Sequence, residues 1–429
     1  MQETRKLGLA EVTAIGIGGM IGGGIFAVLG LAISIAGHAV ALTLAGGGVI
    51  ALLTGLSYAH LGLAFRDDGG SFTYIEKAFA APAIAGLAGW LLVAGYVGTL
   101  ALYANAFGAY GGTLLGAAGS PLLAGGLSAL VLLAFLAINL AGAKASGGVE
   151  LGVVGIKLAI LAVFALVGMK GLDPAHFAPL LDKGLAAPLV AVALIFVAYE
   201  GFELIPNAID EMAAPERNLR RAIVIAILVT TAIYVVVAVV ALGNLTADEI
   251  AGNEEYVLAV AARPTLGEAG FVLISVAALF STASAINATL FGAARLAMVM
   301  GRERALPGIF SMRERNRPVP FVAIIALAGL ALGFTLAAPL ATISTFASAT
   351  FLVIFAAVNF AALKLAGRIG INRAIPLAGG VLASASLLVL VWHTARTDPT
   401  SLGWIAGTYG LALLVELALT LKHGRRPPG

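Results

Sequence analysis

The chain has no cysteine, so it can form no disulfide and offers no thiolate as nucleophile or metal ligand, and its redox compartment is left open. Charge is also scarce. Asp, Glu, Lys and Arg make up 11% of the 429 residues, apolar types make up 60%, and mean hydropathy is +1.03. A soluble chain of this composition would lack the polar surface to cover its core, which leaves a polytopic membrane protein, an all-α fold embedded in the lipid bilayer. Only five histidines occur, at 38, 60, 176, 393 and 423, and none has ligand spacing, so neither a metal site nor a cofactor is expected. The His/Asp/Cys constellation of an intramembrane enzyme is missing, as is the continuous polar stripe of a channel. No nucleic-acid partner is expected. The opening MQETRKLGLAEVTAIG runs from a basic head into a long helix, with no small-residue cleavage pattern.

What is present is a series of long apolar runs, and they divide into twelve expected spans. These lie near 8–36, 39–65, 84–112, 121–142, 149–169, 188–213, 220–243, 267–300, 320–338, 342–365, 375–395 and 402–422. The connecting loops are too short for a separate domain, so 1–429 reads as one transmembrane unit. With both termini in the cytoplasm, nineteen of the 25 basic residues fall on inner segments. Only Lys170, Lys183, Arg263 and Arg396 fall outside, a strong positive-inside bias for a multi-pass cell-membrane protein. The last two, Lys157 and Arg295, sit within spans. Arg295 is near an inner end and can reach the headgroups.

Lys157 cannot. It stands mid-helix in VELGVVGIKLAILAVFALVGM (149–169), where a charged lysine costs about 2.5–3.5 kcal/mol on insertion scales. Either it has a partner inside the protein, or it changes charge there. Glu150, two turns away, is placed at the cytoplasmic interface.

Two spans carry features of interruption. The first contains IGIGGMIGGGIF, and its triplet Gly22, Gly23, Gly24 favours either local unwinding or close packing through small residues. The sixth reads LIFVAYEGFELIPNAIDEM, with Glu200 and Glu203 flanking Gly201 and Pro206 beyond them. A helix restarting after Gly201 would put Glu203 in its first turn, where the dipole favours a carboxylate. Paired breaks five helices apart point to an inverted-repeat transporter with its site at the breaks. The GGG run is no phosphate loop, because no Gly-Lys-Ser/Thr comes after it.

The motifs GMIGGGIF (19–26), FVAYEGFELIPNAIDEMAAPERNLRRAI (196–223) and ALFSTASAINATLFGAARLAMVMGRERALP (278–307) resemble the amino acid–polyamine–organocation (APC) superfamily, most of all ApcT-type amino acid/proton symporters. The resemblance implies a LeuT-type fold with a 5+5 inverted repeat, discontinuous helices 1 and 6, repeats over 1–170 and 188–366, and two added helices over 375–422. It implies that a substrate α-carboxylate meets the amides of Gly22, Gly23 and Gly24; many relatives have serine where this chain has Gly23. The substrate ammonium would meet carbonyls around Ile17–Ile21, Gly19 included, and Phe196–Tyr199, next to Gly201. Phe196, Ala198 and Phe202 would line the side-chain pocket, Phe196 as a candidate lid. In sodium-coupled relatives a cation lies against the eighth helix, at a pattern matched here by Ala278, Ser281 and Thr282. Lys157 aligns with the lysine whose ammonium stands in that place, with the carbonyls of Gly18 and Ile21 and the hydroxyl of Ser281 as its implied partners. The segment DDGGSFTYIEKAF (67–79) resembles the family's cytoplasmic gate, its acids read as a solvated loop.

The expected function is proton-coupled uptake of a neutral amino acid by alternating access, with H+ as coupling ion and Lys157 as proton carrier. An amino acid or polyamine exchanger is the alternative. Glu200 and Glu203 are expected to cap and pack the restarted helix. The sequence leaves the oligomeric state open.

Overall fold

An apolar run with no water around it must satisfy its backbone N–H and C=O groups internally, and helices do this within one segment. The structure, a computed structural model, describes residues 6–66, 69–79, 81–142, 147–312 and 319–423. Arg5, Asp67, Asp68, Lys144, Arg313, Arg315, Arg317, Arg425, Arg426 and the side chain of Glu150 lie outside that description. The helices are α1 (Leu9–Ala36), α2 (Val40–Phe65), α3 (Gly70–Phe79), α4 (Pro82–Leu114), α5 (Pro121–Leu140), α6 (Gly147–Gly168), α7 (Ala187–Ile195) and α8 (Pro215–Asn244). They continue with α9 (Ala247–Gly252), α10 (Val257–Arg302), α11 (Phe321–Ala337), α12 (Leu340–Lys364), α13 (Ala366–Ile369), α14 (Ala374–Thr397) and α15 (Pro399–His423). Among the described residues, one isolated bridge, Leu7 to Met212, is the whole of the β structure.

Among the described residues, ten helical runs are long and apolar enough to cross a membrane; one of them, Leu9–Phe65, holds both α1 and α2, and α11 is shorter. Proline opens α4, α5 and α8, where its missing N–H costs nothing. The α1 helix is buried along most of its length and packs against α4, α6, α7, α8 and α10, so it forms the centre of the bundle.

The sixth expected span does break. The α7 helix ends at Ile195 and tightens to a 3-10 turn over Phe196–Tyr199. Glu200 is extended (ψ 145°) and Gly201 takes φ +123°, a conformation open mainly to glycine. Beyond Gly201 the expectation of a restarted helix fails. The chain makes two further 3-10 turns there, Phe202–Leu204 and Pro206–Glu211, and regains α-helix only at Pro215. Pro206 begins the second of these turns, where it needs no hydrogen bond of its own.

Three other expectations need correction. First, α1 is a continuous helix from Leu9 to Ala36, so helix 1 is not interrupted at Gly22, Gly23 and Gly24. The reason is steric: these glycines have neighbouring backbone and rings pressed against them, and their lack of a side chain is used for packing. Second, of the acids of 67–79 read as a solvated loop, Glu76 stands on the helix α3, where Phe72, Tyr74 and Ile75 are fully covered, while Asp67 and Asp68 lie outside the described residues. Third, the segment before the eighth span is helical: α10 starts at Val257 and bends at Gly267 (φ +63°).

Candidate functional site

The contact between α1 and the sixth-span break is made by glycine on both sides. A Cβ on Gly19 would lie 2.9 Å from Cα of Gly201, and a Cβ on Gly201 would lie 2.6 Å from the backbone of Gly19 and Met20. Further along, a Cβ on Gly24 would sit 2.8 Å from Cα of Ala198, and one on Gly22 would sit 2.5 Å from Cβ of Ala285. Gly23 faces the ring of Tyr103, which fills the space a side chain would need. The residues expected to bind substrate are thus brought together, but in a closed arrangement.

Side-chain hydroxyls reach three successive carbonyls of α1. Tyr103 on α4 donates to Gly19 O over 3.4 Å, and Ser281 on α10 donates to Ile21 O over 2.6 Å. Tyr234 on α8 stands between Met20 O and Ala198 O, at 2.6 and 2.8 Å, and can donate to one at a time. A carbonyl has two lone pairs, so it can hold its helical bond and accept a hydroxyl as well. These outside donors give α1 alternative partners at the height where it meets the break.

The break satisfies its own backbone with side chains. Glu203 Oε2 accepts from the N–H of Gly201 at 2.6 Å, and Glu200 Oε2 accepts from Thr99 Oγ1 at 2.5 Å. Both carboxylates are 2% exposed. Ser348 on α12 accepts from the N–H of Val197 at 3.0 Å, and Ser344 and Ser348 both donate to Leu194 O at 2.8 Å. The carbonyl and amide freed where α7 ends therefore have partners, which buried backbone requires.

Lys157 is 2% exposed, on α6, which packs against both α1 and α10. Ile21 and Ser281 meet directly, Ala278 is buried on α10, and Thr282 donates to Ala278 O within its own helix at 2.8 Å. Ile17 and Gly18 are buried on α1, one turn below Ile21.

Aromatic rings occupy the expected side-chain pocket. Phe196 lies 5.8 Å and Phe202 5.2 Å from the Phe355 ring centroid, with Tyr58 5.6 Å from Phe202 and Tyr199 6.2 Å from Phe196. The hydroxyl of Tyr199 donates to Leu44 O. Sequence reading missed Tyr103, Tyr234, Thr99, Ser344 and Ser348. The signal for the serines was available in LATISTFASAT (340–350), which carries five hydroxyls inside an apolar span.

A family model described as amino acid permease matches residues 7–412. The E. coli K12 inner membrane transport protein YbaT is 32% identical over 418 residues, covering 97% of this chain and 96% of that protein. The uncharacterized protein MJ0609 of Methanocaldococcus jannaschii is 32% identical over 416 residues, covering 97% and 95%. The Bacillus subtilis branched-chain amino acid permease BcaP is 25% identical over 336 residues, covering 74% and 72%. Among solved structures, the manganese transporter of Eremococcus coleocola superposes with a TM-score of 0.60 at 13% identity, covering 96% of this chain and 93% of that one, a likeness of fold alone. The chain belongs to the amino acid permease family of the APC superfamily, and it is a multi-pass membrane transporter of amino acids or related substrates, not an enzyme.

Proposed function

We propose that the protein takes up neutral amino acids together with protons by alternating access, and that Lys157 carries the proton. The observation that supports this is a lysine 2% exposed in the middle of α6, a helix that packs against both α1 and α10, the two helices that the Ser281–Ile21 bond joins. An ammonium can give up its proton as the surroundings change, whereas an arginine stays charged. Charged, Lys157 acts as the cation between α1 and α10, with Gly18, Ile21, Ala278, Ser281 and Thr282 around it, and keeps the inner gate closed. Neutral, it releases that contact.

In this reading the chain has twelve spans with both termini inside, and its first ten form two inverted repeats over 1–170 and 188–366. The continuous α1 belongs to a closed member of the cycle. When α1 opens locally, the amides of Gly22, Gly23 and Gly24 take the substrate carboxylate. The carbonyls near Ile17, Gly19, Ala198 and Tyr199 take the ammonium, and Phe196, Gly201 and Phe202 border the side chain. Two observations support the step: outside hydroxyls already reach α1 carbonyls 19–21, and Tyr103, not a side chain of α1, occupies the space at Gly23. In this reading Glu200 and Glu203 serve the break and not the substrate: Glu200 accepts from Thr99 and Glu203 from the N–H of Gly201.

Uptake of a panel of labelled amino acids into proteoliposomes, with and without an imposed proton gradient, tests the proposal. Lys157→Ala and Lys157→Arg should both lose pH-dependent accumulation, while Lys157→Ala keeps substrate binding. Accumulation by Lys157→Ala against a gradient with unchanged pH dependence would make the lysine structural. Full counterflow with no response to the gradient would identify an exchanger.

A further inference from the structure

A cavity away from the contact between α1 and the break lies where α4 turns into α5. It encloses about 440 Å³, within the ~300–1,000 Å³ common for small-molecule sites. Its polar lining comes from Asn105 on α4, Ser128 on α5, Thr335 on α11, the cap residue Ser120, and Glu255 and Tyr256 in the turn before α10. No lysine, arginine or histidine is among its lining residues. Arg263, on the next helix, is spent on Glu268 at 3.1 Å and on the face of Phe271.

The lining combines a carboxylate and side-chain acceptors with two donors, the NH2 of Asn105 and the hydroxyl of Tyr256. Asn105 Oδ1 is buried without a hydrogen-bond partner. Ser128 gives its proton to Ala124 O at 2.9 Å and Thr335 gives its proton to Ala331 O at 2.8 Å, so neither hydroxyl has a proton left to donate to the cavity. Glu255 adds a carboxylate, and Tyr256 adds a ring and a neutral hydroxyl. The carboxyl-terminal ends of α4 and α11 reach this cavity, bringing partial negative charge. Two helix starts lie there: that of α5 is capped by Ser120, which accepts from the N–H of Leu123 at 3.4 Å, and that of α10 follows Tyr256 with no side-chain cap, so its partial positive charge lies next to the Glu255 carboxylate. Lone pairs, one carboxylate and an aromatic face together favour a group that is all donor and positively charged.

We propose that this cavity is a binding site for a primary ammonium group, separate from the site at the break and on the outer side in the proposed orientation. The ammonium can come from a soluble amine or from the headgroup of an aminophospholipid. Glu255 supplies the counter-charge and Asn105 the buried acceptor.

The test is calorimetric titration of the full-length protein, in phosphatidylcholine nanodiscs, with ethanolamine, its neutral counterpart ethylene glycol, and acetate. Ethanolamine alone should bind. Glu255→Gln should weaken it about tenfold or more without changing thermal stability, because it removes one charge at a partly exposed position. Asn105→Leu should weaken it too; if that variant does not fold, Glu255→Gln still decides. Nanodiscs containing phosphatidylethanolamine separate the sources: competition with ethanolamine in the wild type but not in Glu255→Gln identifies a headgroup, and no competition identifies a soluble amine. Absence of ethanolamine binding at millimolar concentration, equal binding of ethylene glycol, or an unchanged affinity in Glu255→Gln would overturn the site.

Discussion

The middle of α1 and the stretch 196–211 face each other, both rich in features that weaken a helix, yet only one of them breaks. The α1 helix carries six glycines between 16 and 24 and stays helical to Ala36. The other stretch carries one glycine and one proline near its break and loses its α-helical form at Ile195. Glycine lowers the cost of leaving a helix by about 1 kcal/mol per residue, but it offers nothing to the backbone groups that leaving would free. Glu203, Ser348 and Ser344 do offer something: an acceptor for Gly201 N–H and Val197 N–H, and donors for Leu194 O. A break inside a membrane needs partners more than it needs glycine.

The sharpest way to separate the two glycine roles is to add one methyl group on each side of their contact. Gly19→Ala meets Gly201 Cα at 2.9 Å but gains helix propensity, about 1 kcal/mol, at ordinary helical angles. Gly201→Ala meets the backbone of Gly19 and Met20 at 2.6 Å and is also forced to φ +123°. That backbone conformation adds about 1–3 kcal/mol for a residue with a Cβ. Thermal unfolding in detergent should therefore show the larger loss for Gly201→Ala, together with loss of transport. Equal losses would mean that packing alone, with no special conformation, holds the break.

The next effect in size concerns the acid that caps the break. Glu203→Leu leaves the buried N–H of Gly201 without an acceptor, at a cost of about 1–3 kcal/mol. Glu203→Gln keeps an oxygen at that distance, so it should keep most of the stability and the same ranking of neutral over cationic substrates. A selective loss of lysine or arginine uptake in Glu203→Gln would instead place the carboxylate among the groups that recognise substrate.

The same contrast explains what was legible in the sequence. Helix positions followed from apolar length, because the membrane core allows few other folds; 121–142 was expected and Pro121–Leu140 is found. The break at Gly201 was legible because acids and a proline within an apolar span have no other use. The continuity of α1 was not. Its glycines face Gly201, Ala198, Tyr103 and Ala285, and these neighbours lie from about 80 to 260 positions away in the chain, so no local pattern separates unwinding from close approach. The helix α3 was hidden for a similar reason: its covered face packs on α4 and α12, and its Ser71 hydroxyl lies 2.5 Å from that of Tyr58. Lys157 was legible as an anomaly; the family pattern named Ile21 and Ser281 as partners of Lys157, and the bond from the Ser281 hydroxyl to Ile21 O was not foreseen.

The smallest expected effect uses two serines one helical turn apart on α12. Both donate to the same oxygen, Leu194 O, at 2.8 Å, but only Ser348 also accepts from the N–H of Val197. In Ser344→Ala the carbonyl keeps Ser348, so no group is orphaned and the loss should be about 0.5–1 kcal/mol at most. In Ser348→Ala the carbonyl keeps Ser344, but the amide of Val197 is left buried without a partner, and the loss should rise to about 1–3 kcal/mol. The pair differs by one backbone N–H in an otherwise matched setting, so the difference in unfolding temperature isolates what a partner for a freed amide contributes. If Ser344→Ala proves as damaging as Ser348→Ala, the carbonyl needs both donors, and the break depends on the oxygen at the end of α7 more than on the amide just beyond it.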